Sequence, residues 1–230
     1  MSSSNRSLRW LLVVATVFLA VDAQEVSQRK VKKSFTSPLA GETFHVLEEC
    51  VDTQGEYTLL QVDIPPNINK VPFHHHDSYD EYIAVIGDGP YHTTINGVNR
   101  TYHKGESFVF PVNVEHLWWT GDQATAIYIK MEPCFDGFHD SIEIYSKLPE
   151  EQLDPTTKHV KDLWTTAVII NIGGTIIHSN KWYERPLLWL LKVMANSPWG
   201  KRLEQELRQQ YIDDGDNEEP ERPGQEGKEL

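Results

Sequence analysis

Between Tyr57 and Met131 the chain is cut by turn signals into short strand-forming runs, and that limits this stretch to a β-barrel or β-sandwich. Tyr57 to Ile64 is rich in strand formers and stops at Pro65-Pro66. Tyr91 to Ile95 and Val98 to Tyr102 flank Asn96-Gly97, the dipeptide best suited to the positive φ angles of a two-residue hairpin turn. Glu81 to Ile86, Ser107 to Phe110, Glu115 to Trp119 and Ala124 to Met131 complete the series.

Three imidazoles and a carboxylate lie at telling places in it. His74-His75-His76 is followed by Glu81 and later by His116. In a strand, alternate side chains share a face, so His74 and His76 point one way and His75 the other. Asp77 to Asp80 reads as a short turn, since Asp favours turns, and it would return Glu81 toward the two histidines on the next strand. His116 follows a turn around Pro111 and is expected to pack little. His74, His76, Glu81 and His116 are therefore the candidate metal ligands. His75 is expected to face outward and not to ligate. His45, His92, His103, His139, His159 and His178 read as surface or internally satisfied residues.

These two segments resemble the motifs of the cupin family. The first motif runs Gly, five residues, His-x-His, three or four residues, Glu, six residues, Gly; His74, His76 and Glu81 match it, while Ile68 and Asp88 stand at the glycine positions. The second runs Gly, five residues, Pro-x-Gly, two residues, His, three residues, Asn; Gly105, Pro111 and His116 match, with Asn113 for the second Gly and Thr120 for the Asn. Asn is the mildest replacement where positive φ is needed. The resemblance covers residues 38–133 or so and implies a mainly β fold, a cupin-type jelly-roll barrel. Gly105 to His116 looks most like the second motif of germins. The inter-motif spacing and the cysteines depart from germins, so oxalate oxidase activity is not carried over.

The N-terminus has Arg6 and Arg9, an apolar Trp10 to Ala20, and Val21-Asp22-Ala23, the pattern of a signal peptide spanning residues 1–23. Its removal deletes Arg6, Arg9 and Asp22, one net positive charge, so the formal charge goes from −13 to −14. That acidity disfavours nucleic acid and anionic membranes as partners. The expected location is the secretory pathway, either the extracellular space or the ER lumen; the terminal Gly-Lys-Glu-Leu only partly resembles a retention signal. In that compartment Cys50 and Cys134, which bracket the strand series, are expected to form a disulfide. Asn99-Arg100-Thr101 is a glycosylation sequon, with Asn99 as acceptor.

Residues 24–37 read as a flexible lead-in, 38–134 as the barrel, 135–212 as a helical extension and 213–230 as a disordered acidic tail with eight acids against Arg222 and Lys228. In the extension, Pro186 opens a helix through Ala195, and Ser197-Pro198 starts another. On the latter, Trp199, Leu203, Leu207 and Tyr211 form an apolar stripe. Such helices pack on the barrel or on a partner subunit as a homodimer; a membrane contact through Trp164, Trp182, Trp189 and Trp199 is the minor alternative, because the apolar runs are too short to span.

A sulfur-free set of three imidazoles and a carboxylate suits one divalent transition metal, Mn or Fe ahead of Ni, Cu and Zn. Two neighbouring coordination positions would stay open for water, dioxygen or a small oxygen ligand. Phe73, Phe108, Phe110, Trp118 and Trp119 are candidates for an apolar wall. The leading expectation is a secreted metal-dependent oxidoreductase of dioxygenase or oxidase type acting on a small oxygen-rich substrate. The alternatives are a non-catalytic barrel that binds metal and a small ligand, or a structural extracellular barrel. Glu115, Tyr82 and Tyr128 are the candidate bases.

Overall fold

The computed structural model describes residues 29–178 and 184–212. The signal-like segment 1–23, the tail 213–230 and Trp182 lie outside the described residues. Two antiparallel sheets face each other. One has the order β1 (Lys33–Thr36), β2 (Thr43–Glu48), β3 (Thr58–Ile64), β10 (Thr125–Glu132), β5 (Asp80–Val85), β8 (Ser107–Phe110). The other has the order β11 (Thr175–Ile177), β4 (His74–His76), β9 (His116–Thr120), β6 (Tyr91–Ile95), β7 (Val98–Tyr102). Alternation divides each strand between a core and an outer face. Leu60, Val62 and Ile64 of β3 meet Val46, Ile83, Tyr91, Phe110 and Met131 in the core. Leu59 turns to the outer face, against Leu47 and Tyr128. Each such buried side chain contributes about 1.5–3 kcal/mol.

The turns obey their residues. Asn96 and Gly97 have φ of 48° and 76°, as a primed hairpin turn requires. Asn113 has φ of 60°, so the residue standing where the motif has glycine does take the left-handed conformation. The Asn113 amide donates to the His76 carbonyl at 2.7 Å, which ties the second motif's turn to the strand of the first. The Val112 amide donates to the Asp80 carboxylate at 2.7 Å, so Asp80 serves that turn too. Asn99 is exposed on β7, the edge strand of its sheet, where a glycan would meet no neighbouring strand.

The lead-in is shorter than its composition suggests. Lys33 to Thr36 pairs with β2 because Phe35 can bury against Phe44, with ring centroids 6.0 Å apart, while lysines cover the open edge. The extension holds α1 (Gly137–Lys147), a 3₁₀ turn (Glu150–Gln152), α2 (Leu163–Ile172), α3 (Arg185–Asn196) and α4 (Pro198–Tyr211). It is not wholly helical, since β11 within it joins the second sheet. Asp162 caps α2 by accepting from the Thr165 amide, and Ser197 caps α4 by accepting from the Gly200 amide. α2 is apolar nearly all round because it is central, packing on α1, α3 and α4.

Leu207 and Tyr211 are buried with Ile144, Val168 and Ile172, but Trp199 is 73% exposed, contrary to the stripe. In that first turn Gly200 is the residue that abuts α3: a Cβ there would lie 2.3 Å from the Met194 carbonyl oxygen, so Trp199 is rotated outward. Among the described residues no helix is long and apolar enough to cross a membrane.

Two cross-links fasten α1 to the barrel. Cys50 and Cys134 form a disulfide with Cα atoms 5.4 Å apart, closing 84 residues of sequence. Replacing both by serine should lower unfolding free energy by about 4–5 kcal/mol in the chain-entropy account; an unchanged midpoint in denaturant would refute it. The second is ionic. His139, 1% exposed, has Nδ1 3.2 Å from Asp140 and Nε2 3.5 Å from Asp136. Lys33 reaches Glu143 at 2.9 Å and Glu49 at 3.2 Å, Lys147 reaches Glu143 at 2.7 Å, and Arg208 pairs with Asp140. Reading His139 as one more satisfied histidine misses this role.

Candidate metal centre

Strand alternation sends His74 and His76 inward from β4, and the register places His74 directly opposite His116 of β9. Glu81 approaches from β5 in the facing sheet. Its Oε2 lies 3.4 Å from His76 Nε2 and 3.8 Å from His116 Nε2. Ligand atoms of His74, His76 and His116 lie within 4.8 Å of one another. The three imidazoles thus cluster between the two sheets, and Glu81 faces two of them, His76 and His116. His76, Glu81 and His116 are buried, and His74 is half-buried.

Each imidazole is held from behind. His74 Nδ1 is 2.8 Å from the Pro72 carbonyl, and His116 Nδ1 is 2.8 Å from the Val114 carbonyl. A carbonyl can only accept, so both Nδ1 atoms donate, and both Nε2 atoms carry the inward lone pair. His76 Nδ1 lies 2.7 Å from the Tyr79 hydroxyl and 3.4 Å from the Gly174 carbonyl, which leaves its Nε2 inward as well. Buried His116 Nε2 has no hydrogen-bond partner.

Electrostatics keep the set ready for a cation. Burial, then the neighbouring His116, lowers the His74 pKa to about 4. Burial also lowers that of His116, against the pull of Glu81. Both rings are neutral near pH 7, the form that ligates. Burial alone would raise Glu81, but the imidazoles around it, His76 first, hold it below the usual carboxylate range. Among the described residues, no lysine or arginine pairs with this buried carboxylate. An uncompensated buried anion among lone pairs is costly, and a divalent cation removes that cost.

The surroundings revise several expectations. His116 is 1% exposed and stacks on Phe110 with ring centroids 4.0 Å apart, so it packs closely rather than little. Phe108 and Trp118 continue the aromatic wall through Tyr91, at 6.0 and 5.6 Å. Trp119 alternates outward and lies under Lys70. None of the three candidate bases faces the site. Glu115 is on the outer face beside His178, Tyr82 lies beneath Lys130, and Tyr128 belongs to the outer apolar cluster.

Tyr79 is the residue that reasoning from sequence overlooks. It falls in a turn, yet it is 1% exposed, wedged between His76 and Phe135 with ring centroids 4.6 and 5.0 Å away. An aromatic residue inside an otherwise polar turn was the available signal. Tyr79→Phe should weaken metal binding about 10–100-fold without unfolding the barrel, as read by a competing chelator; unchanged affinity would remove Tyr79 from the site's support.

No family model matches the sequence, and no curated protein matches it. Solved structures do. KdgF from Halomonas sp. is 15% identical, covering 44% of this chain and 87% of its own, with a TM-score of 0.39. An RmlC-like cupin from Shewanella frigidimarina is 17% identical, covering 46% and 86%, with a TM-score of 0.37. The polyketide cyclase RemF from Streptomyces resistomycificus is 19% identical, covering 46% and 75%, with a TM-score of 0.37. The two facing antiparallel sheets form a jelly-roll β-sandwich, with a largely helical extension at its C-terminal end.

Proposed function

We propose that His74, His76, Glu81 and His116 hold one divalent transition metal, and that the chain is a secreted metal-dependent oxidoreductase acting on a small oxygen-rich molecule. One observation carries the metal: the orphaned, buried Nε2 of His116 faces a buried carboxylate that, among the described residues, pairs with no lysine or arginine. The donor set, nitrogen and oxygen without sulfur, fits Mn(II) or Fe(II) and also the later divalent ions. When bound, such an ion supplies Lewis acidity and exchangeable positions for oxygen ligands.

The chain's own residues do the rest. The Pro72 and Val114 carbonyls hold His74 and His116 in the ligating tautomer. Tyr79 orients His76 from the far side. Phe110 keeps water from the face of His116. His74, the one ligand that is not fully buried, marks the side from which small molecules would enter.

A second reading, a barrel that binds metal and ligand without turnover, is favoured by the outward placement of Glu115, Tyr82 and Tyr128. Elemental analysis of the secreted protein, with oxygen uptake over a panel of small carboxylates, diols and phenols, tests both. Metal-dependent uptake supports the oxidoreductase. Bound metal with saturable ligand binding and no uptake supports the second reading. Protein that binds no transition metal defeats both.

A further inference from the structure

The outer face of β4 presents a second set of donors. His75 points away from His74 and His76 and is opposite Ile176 of β11. Just past β11 the His178 amide donates to the Phe73 carbonyl at 2.7 Å. This pairing brings His178 Nε2 to 2.5 Å from His75 Nδ1. On the far side of its ring, His178 Nδ1 lies 3.1 Å from Glu115 Oε1. A carboxylate behind one imidazole nitrogen is the arrangement by which proteins orient a metal-binding histidine; here the other nitrogen is hydrogen-bonded to a second imidazole. Both rings are partly exposed, so an ion in solution can reach them.

We propose that His75 and His178 form an outer site for a divalent ion of zinc, nickel or copper type, which fastens β11 onto the strand carrying the inner ligands. Glu115 orients His178, and water fills the remaining positions. Metal–nitrogen bonds of about 2.0–2.1 Å in tetrahedral geometry need the two nitrogens about 3.3 Å apart. A small rotation of two partly exposed rings supplies that opening. The buried group around His139 is the competing candidate, because His139, Asp140 and Glu143 also cluster. There Lys33, Lys147 and Arg208 already neutralise the carboxylates. Among the described residues, the outer pair has no lysine or arginine against it, and Glu115 pairs with His178.

Zinc titration of the whole chain against a chromophoric chelator tests this. The parent should bind two ions. His178→Gln and His75→Gln should each bind one, while Glu115→Gln should keep two with the outer site weakened about 10–100-fold. Amide exchange in β11 should slow with zinc in the parent and not in His178→Gln. A parent that binds one ion, retained by His178→Gln, would mean that the two rings are only hydrogen-bonded. Loss of all zinc from a folded His178→Gln protein would equally overturn a separate site. Glu81→Gln distinguishes the two centres: if it leaves the count unchanged, the inner assignment fails and the outer one stands.

Discussion

His116→Gln, made in a His178→Gln background to silence the outer pair, should leave a folded barrel that retains little or no transition metal. In the proposed site His116 supplies one of four ligands, and its Nε2 is a buried atom with no hydrogen-bond partner. Glutamine keeps most of the volume against Phe110 and removes the imidazole. His116→Ala should lose the metal too, but it also opens a void beside an aromatic ring, at a further cost of about 2–5 kcal/mol. Metal-to-protein ratio by mass spectrometry and thermal unfolding by circular dichroism separate the two effects. Full metal occupancy in the glutamine variant would exclude His116 as a ligand. Unfolding of that variant, with metal bound only to the parent, would make the ion structural.

A second large effect, on stability, is expected away from the metal. His139→Ala should cost about 3–5 kcal/mol, the usual loss when one member of a buried ionic group is removed and its partners stay buried. Burial alone would lower the His139 pKa, but the close carboxylates of Asp136 and Asp140 outweigh it and raise it above the ordinary 6.5. The stability contributed by the imidazolium is therefore complete below pH 6.5 and is lost as pH rises through the elevated folded value. Asp136 and Asp140 run the other way. Burial would raise them, but His139 holds both below the ordinary 3.8, so their contribution is complete above that value and is lost as pH falls through the depressed ones. The stability difference between parent and His139→Ala should thus be greatest between pH 3.8 and 6.5 and shrink on the alkaline side. Chemical denaturation across that range measures it, and a pH-independent difference would rule out the charged form as the cause.

The barrel and the clustering of His74, His76 and His116 beside Glu81 were legible because both obey local rules. Period-two alternation divides β3 into Leu60 and Val62 inward and Leu59 outward, and the same rule separates His74 and His76 from His75. Asn96-Gly97 and Asn113 announced their turns by the φ angles those residues tolerate. Packing was not legible at that level. His116 reads as a turn-flanking residue, and only the three-dimensional approach of β8 puts Phe110 across its face. α1 was hidden because Gly137 to Lys147 mixes Gly, Asp, Ser and two β-branched residues, all modest helix formers. Its helix is supported by contacts with distant Lys33 and Arg208. β11 is three residues long and cannot be recognised until β4 is there to pair with it.

That last pairing has a consequence for synthesis. β4 meets β9 at the single matched pair His74–His116 but meets β11 at three. Gly174, which touches His76, follows it by 98 residues. A nascent chain will therefore have His74, His76, Glu81 and His116 outside the ribosome while β4 still lacks its better partner. Contacts of such sequence separation form late. Until they form, an open edge bearing three imidazoles is available to another chain. Any shortened product that stops before Thr175 keeps that edge permanently, so assembly of β4 is gated by about the last quarter of the chain.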